Sequence, residues 1–179
     1  RDLRSVKAIV MVTTDKVYHN NECLKPFKEN DTIGGRDPYS ASKAASELII
    51  DCYRNAFFNA QGVAVASARA GNVIGGGDWA ADRIVPDCIR AWAMGNEVPL
   101  RNPIATRPWQ HVLEPLSGYL NLAIALYEDN SLHGEAFNFG PPAYQNHSVG
   151  ELVEEMALYW DKVRWVDVSA NYGGPYESG

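Results

Sequence analysis

The chain has 179 residues, 46% of them apolar and 21% charged, with 22 acidic against 16 basic side chains and a net charge of −6. Five Trp, nine Tyr and five Phe exclude a disordered chain, and no apolar run reaches the ~18 residues of a membrane span. The acidic balance and the lack of any Lys/Arg run argue against nucleic acid as a partner.

Residues 6–14 (VKAIVMVTT) are apolar and β-branched and end in hydroxyls, which predicts a buried strand of a parallel sheet. Residues 19–38 are rich in Asn, Asp, Gly and Pro and read as a loop. A long helix is expected over 39–60, stopped by Gln61-Gly62, then a second strand over 62–70. Residues 71–78 form a glycine-rich loop. A helix is expected over 82–94, ended by Gly95, with a short strand over 98–101. Residues 114–127 read as a helix and 135–139 as a strand. Ser148 with Glu151 three residues on makes a capping box that opens a helix to Trp160. One more strand is expected over 163–168. Strands alternating with helices indicate an α/β fold. Cys23, Cys52 and Cys88 are odd in number and far apart, with no CxxC or Cys/His cluster. No disulfide framework and no metal site are expected, and a cytoplasmic setting fits best.

Two stretches carry chemistry. Tyr39-Ser40-Ala41-Ser42-Lys43 spaces a phenol and an ammonium by four residues, which puts both on one helix face. A nearby positive charge favours the phenolate, so such a tyrosine can act as a base toward a sugar hydroxyl. Thr13-Thr14-Asp15-Lys16-Val17-Tyr18 follows the first strand directly. The carboxyl ends of strands line the ligand crevice of open α/β sheets. A hydroxyl, a carboxylate and an ammonium there can supply a hydrogen bond, a general acid and a cationic or basic group.

Together these stretches resemble the extended short-chain dehydrogenase/reductase family. Three more segments agree, in the family's order: Ala68-Arg69-Ala70-Gly71-Asn72-Val73-Ile74-Gly75, Arg107-Pro108-Trp109-Gln110-His111-Val112 and Phe137-Asn138-Phe139-Gly140. Within the family, Thr14-Asp15 resembles the nucleotide-sugar 4,6-dehydratases. Lys16, the stretch Arg107 to Pro115 and Gly75-Gly76-Gly77-Asp78-Trp79 are similar to the group acting on CDP-glucose. Pro108 and His111 stand where the wider family has an aspartate and a tyrosine.

The resemblance implies a Rossmann-type doubly wound parallel sheet, of which this chain holds the C-terminal part, with a smaller α/β substrate-binding domain. Residues 1–70 would complete the NAD-binding domain. Residues 71–179 would mainly build the substrate domain, with some elements returning to the first. No Gly-x-x-Gly-x-x-Gly or Gly-x-Gly-x-x-Gly stands between a strand and a helix, and the first residue is Arg1. The sequence is therefore expected to be an internal portion, roughly half, of a longer enzyme.

The implied activity is a lyase reaction of deoxysugar biosynthesis, converting CDP-glucose to CDP-4-keto-6-deoxyglucose with NAD as cofactor. Tyr39 would take the C4 hydroxyl proton and Thr14 would hydrogen-bond the same oxygen. Asp15 would protonate the departing C6 hydroxyl. Lys16 would act at C5, as base or as electrostatic stabiliser of an enolate. Lys43, Tyr39, Thr13 and Ala70 would contact NAD, and Asn72, Arg83, Arg107 and His111 the substrate. A homodimer or homotetramer is the implied assembly. An epimerase or reductase on the same scaffold lacks a need for the Asp15–Lys16 pair. A non-catalytic module would have no use for Thr14, Tyr39 and Lys43.

Overall fold

The computed structural model describes residues 5–20, 25–171 and 173, so Cys23 and the closing Gly-Pro stretch after Gly173 lie outside the described residues. In chain order the first elements are β1 (Ala8–Val12), α1 (Pro38–Tyr53), α2 (Asn59–Gln61), β2 (Ala64–Ala70) and β3 (Val73–Ile74). Then come α3 (Ile84–Ala93), β4 (Val98–Leu100), β5 (Thr106–Arg107), β6 (Gln110–His111) and α4 (Leu113–Glu128). The last are β7 (Ala136–Phe139), β8 (His147–Ser148), α5 (Val149–Ala157) and β9 (Trp165–Asp167). They fall into two compact units, Arg1–Val73 with His111–Gly140, and Ile74–Gln110 with Pro141–Gly179.

The first unit is built on a parallel sheet in the order β1-β2-β7. Ala8 to Val12 pair with Ala64 to Ala68, and Ser67 to Ala70 with Ala136 to Phe139. Alternation along β2 sorts its two faces. Ala64, Ala66 and Ala68 pack with Leu122 and Leu126 of α4. Ser67 and Arg69 point the other way, to Glu47 of α1. Helices therefore cover both faces of a parallel sheet, the doubly wound arrangement. The alanines keep α4 close. Gly118 continues that closeness, because a Cβ there would lie 2.2 Å from the Phe139 ring.

The second unit packs Cys88, Trp92, Val98, Leu100 and Val153 into one core. β4 runs parallel to β9, and β5 pairs antiparallel with β8. Ser148 and Glu151 cap α5 reciprocally, as the sequence predicts. Among the described residues no helix is long and apolar enough to cross a membrane.

Several element bounds differ from expectation for local reasons. The helix expected over 39–60 passes through a π turn at Arg54–Phe58, where Tyr53 meets the rings of both Phe57 and Phe58. Gly62, with φ of 64°, closes α2, so the next strand starts at Ala64 rather than 62. Asp82 takes a left-handed φ of 61°, which delays α3 to Ile84. α5 stops at Ala157 rather than Trp160, whose ring packs edge-on against Trp92.

Candidate active site

The parallel pairing runs on past β1: the Thr13 N–H donates to the Ala68 carbonyl at 2.8 Å. The chain then enters a single 3-10 turn, Asp15–Val17. Thr14 caps it. Its side-chain oxygen accepts from the Lys16 N–H at 3.3 Å, and its hydroxyl donates to Asp15 Oδ1 at 3.0 Å. Val17 is fully buried and anchors the turn, while Thr14 is buried and Asp15 and Lys16 are half-buried. This end of the sheet is the carboxyl end of β1 and β2, where ligands bind in open α/β folds.

α1 starts against this turn. Asp37 caps it by accepting from the Ser40 hydroxyl at 2.5 Å and the Ser40 N–H at 3.0 Å, and Pro38 fills the first helical position. Those hydrogen bonds hold the Asp37 carboxyl below the usual carboxylate range, and the Lys16 charge adds to the effect. Gly35 permits the approach of the preceding loop, because a Cβ there would lie 2.2 Å from the Ala41 nitrogen. Tyr39 is the second residue of α1 and is exposed. Lys43, one turn on, places Nζ 5.8 Å from the Tyr39 ring centroid. α1 packs against the turn at Asp15–Val17, so the structure brings Thr14, Asp15, Lys16, Tyr39 and Lys43 to one region. A phenol beside an ammonium, on a helix packed against a turn that carries a hydroxyl, a carboxylate and a second ammonium, can move protons at two oxygens of one ligand.

The other predicted residues are distributed differently. Ala70 ends β2 opposite Phe139, and Asn72 follows it, half-buried, in the same unit. His111 is exposed, and its Nδ1 accepts from the Leu113 N–H at 3.2 Å, a capping contact at the start of α4. Arg83 and Arg107 belong to the second unit. Arg83 is exposed at the start of α3 and makes no capping bond. Arg107 Nη1 donates to the Thr106 carbonyl at 2.7 Å. Within the glycine-rich stretch expected as a loop, Val73 and Ile74 form β3, and Gly76 to Asp78 are exposed, as is Trp79. Among the described residues no group of three or more His, Cys, Asp or Glu is placed to hold a metal ion.

Sequence reasoning missed a buried polar network behind the turn. Glu47 and Arg69 form an ion pair with both side chains 6% exposed. The Thr13 hydroxyl donates to Glu47 Oε1 at 2.5 Å, and the Ser67 hydroxyl to Oε2 at 2.8 Å. Burial opposes the ionised Glu47. Hydrogen bonds from Arg69, Thr13 and Ser67 outweigh it and hold the carboxyl below its usual range. Arg69 Nη1 also reaches the Tyr18 oxygen at 2.9 Å and the Glu29 carbonyl at 2.9 Å. The Tyr18 hydroxyl donates to Asn138 Oδ1 at 2.6 Å, and burial raises its phenol above the ordinary value. The available signal was the spacing Tyr39, Lys43, Glu47, three polar residues at four-residue steps, together with an arginine inside AVASARA, a strand otherwise made of small residues.

A family model for the NAD dependent epimerase/dehydratase family matches residues 2–140. The chain is 44% identical over 184 aligned residues to the CDP-glucose 4,6-dehydratase of Salmonella typhimurium, covering 99% of this chain and 51% of that protein. Among solved structures it resembles the dTDP-glucose 4,6-dehydratase of Bacillus anthracis in complex with NAD, with a TM-score of 0.73, 23% identity and coverage of 92% and 50%. It also resembles the UDP-glucuronic acid 4-epimerase of Bacillus cereus, with a TM-score of 0.77, 17% identity and coverage of 97% and 52%. At these identities the two structures share the fold. The chain spans about half the length of the curated relatives it matches.

Proposed function

Because the chain belongs to the NAD dependent epimerase/dehydratase family, we propose that it carries the reactive centre of a nucleotide-sugar 4,6-dehydratase acting on CDP-glucose. The observation that carries the reading is the packing of the turn of Thr14, Asp15 and Lys16 against the helix of Tyr39 and Lys43. The 44% identity to a CDP-glucose 4,6-dehydratase supports the choice of nucleotide.

The residues present fit the nicotinamide–ribose end of NAD. An exposed phenol and an ammonium one turn apart offer a donor pair for a ribose, and the small Ala70 ends its strand at the same end of the sheet. Tyr39, Lys43, Thr13 and Ala70 would hold it there. Bound NAD supplies the acceptor and the donor of hydride. Tyr39 takes the proton of the C4 hydroxyl, with the Lys43 charge favouring the phenolate. Thr14 hydrogen-bonds the same oxygen, and its contact to Asp15 is exchanged for the sugar on binding. A ketone at C4 acidifies the C5 hydrogen. Asp15, in its protonated form, gives a proton to the leaving C6 oxygen. Lys16 stands beside it to take the C5 proton or to stabilise negative charge on the enolate. Asn72, Arg83, Arg107 and His111 are proposed substrate contacts. The two arginines suit a diphosphate because a guanidinium pairs two oxygens at once.

The apolar stripe Leu48, Ile49, Tyr53 and Phe57, exposed along α1 and its continuation, supports self-association as a dimer or tetramer. The free thiols Cys52 and Cys88 suit the cytoplasm. The test is to offer the full-length enzyme CDP-, UDP- and dTDP-glucose and to follow the 4-keto-6-deoxy product. Turnover of CDP-glucose is expected. Turnover of only the UDP or dTDP sugar removes the CDP assignment, and turnover of none removes the dehydratase reading.

A further inference from the structure

Tyr39, Lys43 and Glu47 share one face of α1, yet the first is exposed and the third is buried. The Glu47 carboxylate receives four donors. Oε1 takes the Thr13 hydroxyl at 2.5 Å and Arg69 Nε at 3.0 Å, and Oε2 takes the Ser67 hydroxyl at 2.8 Å and Arg69 Nη2 at 3.0 Å. With its lone pairs engaged, it has nothing left to offer a ligand. Between them, Glu47 and its partner Arg69 reach the turn from both sides. Thr13 immediately precedes Thr14, and Tyr18, which accepts from Arg69, immediately follows Val17.

We propose that the buried Glu47–Arg69 pair is the positioning device of this site: it sets the Thr14–Asp15–Lys16 turn in register with the helix face of Tyr39 and Lys43. The inference rests on the dehydratase reading for its chemistry, and on the geometry alone for the positioning. Apolar side chains of similar volume would hold these elements together at equal or lower cost. A bidentate ion pair with two further hydroxyl donors adds direction, because each bond tolerates little displacement. The pair thus serves register more than cohesion. A reaction that moves protons at two sugar oxygens needs both reactive segments held to within a fraction of an ångström.

The test uses the full-length enzyme with CDP-glucose as probe. Turnover by the unaltered enzyme checks the functional reading before any variant is made. Thr13→Val keeps the side-chain shape and removes the bond to Glu47, whereas Thr13→Ser keeps the hydroxyl. Thr13→Val is expected to lower kcat by about ten-fold or more, with KM and thermal midpoint close to the unaltered values, and Thr13→Ser to recover most of the loss. If Thr13 acts through Glu47, adding Thr13→Val to the paired replacement Glu47→Leu with Arg69→Met, which leaves the Thr13 hydroxyl no acceptor at position 47, lowers kcat no further. Unchanged kcat in Thr13→Val, no recovery in Thr13→Ser, or additive losses in the combined variant overturn the proposal. If the unaltered enzyme does not act on CDP-glucose, amide hydrogen exchange at residues 13–18 becomes the readout. Faster exchange there in Thr13→Val supports the positioning role, and unchanged exchange overturns it.

Discussion

Beneath Thr14 and Tyr39 the interior of the first unit is partly ionic: Glu47 and Arg69 are buried together, with Thr13, Ser67 and Tyr18 completing their hydrogen bonds. The second unit buries Cys88, Trp92, Val98, Leu100 and Val153. Trp92 meets Trp160 edge-on at 6.1 Å and donates Nε1 to the Arg164 carbonyl at 2.8 Å. Burial there pushes the Cys88 thiol up to about 12, so it remains protonated and inert. Apolar packing supplies cohesion but tolerates small shifts. Buried charge adds little cohesion and much direction. The directional interior lies behind the turn and helix for which we propose the chemistry, and the cohesive one lies in the unit that holds Arg83 and Arg107, two of the proposed substrate contacts.

The largest expected effect separates chemistry from packing. Tyr39 is 55% exposed, so Tyr39→Phe should leave the thermal midpoint unchanged while lowering turnover by about a thousand-fold or more. Retained activity would take the base away from the first unit and dissolve the contrast. Next, Arg69→Met leaves Glu47 ionised without its partner and should cost about 3–5 kcal/mol in urea unfolding, with much of that recovered when Glu47→Gln is added. A loss under about 1 kcal/mol would mean that the pair is effectively solvated. Trp92→Ala tests the other interior. It should cost about 3–5 kcal/mol through the cavity it leaves, and no second replacement of a charged residue should recover it.

Acid should sharpen the same contrast. Glu47 titrates lower in the folded chain than in the unfolded one. Its stabilisation is therefore present above the unfolded value and is lost as pH falls through the folded one. Below about pH 4, the unaltered protein should lose stability more steeply than the Glu47→Gln, Arg69→Met variant, read from unfolding curves at successive pH values. The smallest effect lies at α5, where Ser148→Ala removes the capping box and should cost about 1 kcal/mol.

The parts of the molecule legible in the sequence are those set by neighbours a few residues apart. The β1 run, the Ser148 box and the four-residue step from Tyr39 to Lys43 are such features, and each is found in the structure, although β1 is confined to Ala8–Val12 and is half-buried where a buried strand over 6–14 was expected. Where expectation and structure part, a distant residue or a special backbone angle intervenes. Trp160 leaves its helix for Trp92, and Asp82 delays α3 with a positive φ. Short pairings such as β5 with β8 carry too few residues for a period-two signal.

By itself the sequence determined the alternation of strand and helix, the caps, and the order of the reactive segments, because propensity, capping and helix spacing act over a turn or two of chain. Only the tertiary structure decided which buried carboxylate meets which cation. Glu47 lies 34 residues from Thr13 and 22 from Arg69, and they meet because β1 and β2 pair in parallel beneath α1. No local pattern encodes that meeting, since it follows from strand neighbours chosen by the whole sheet.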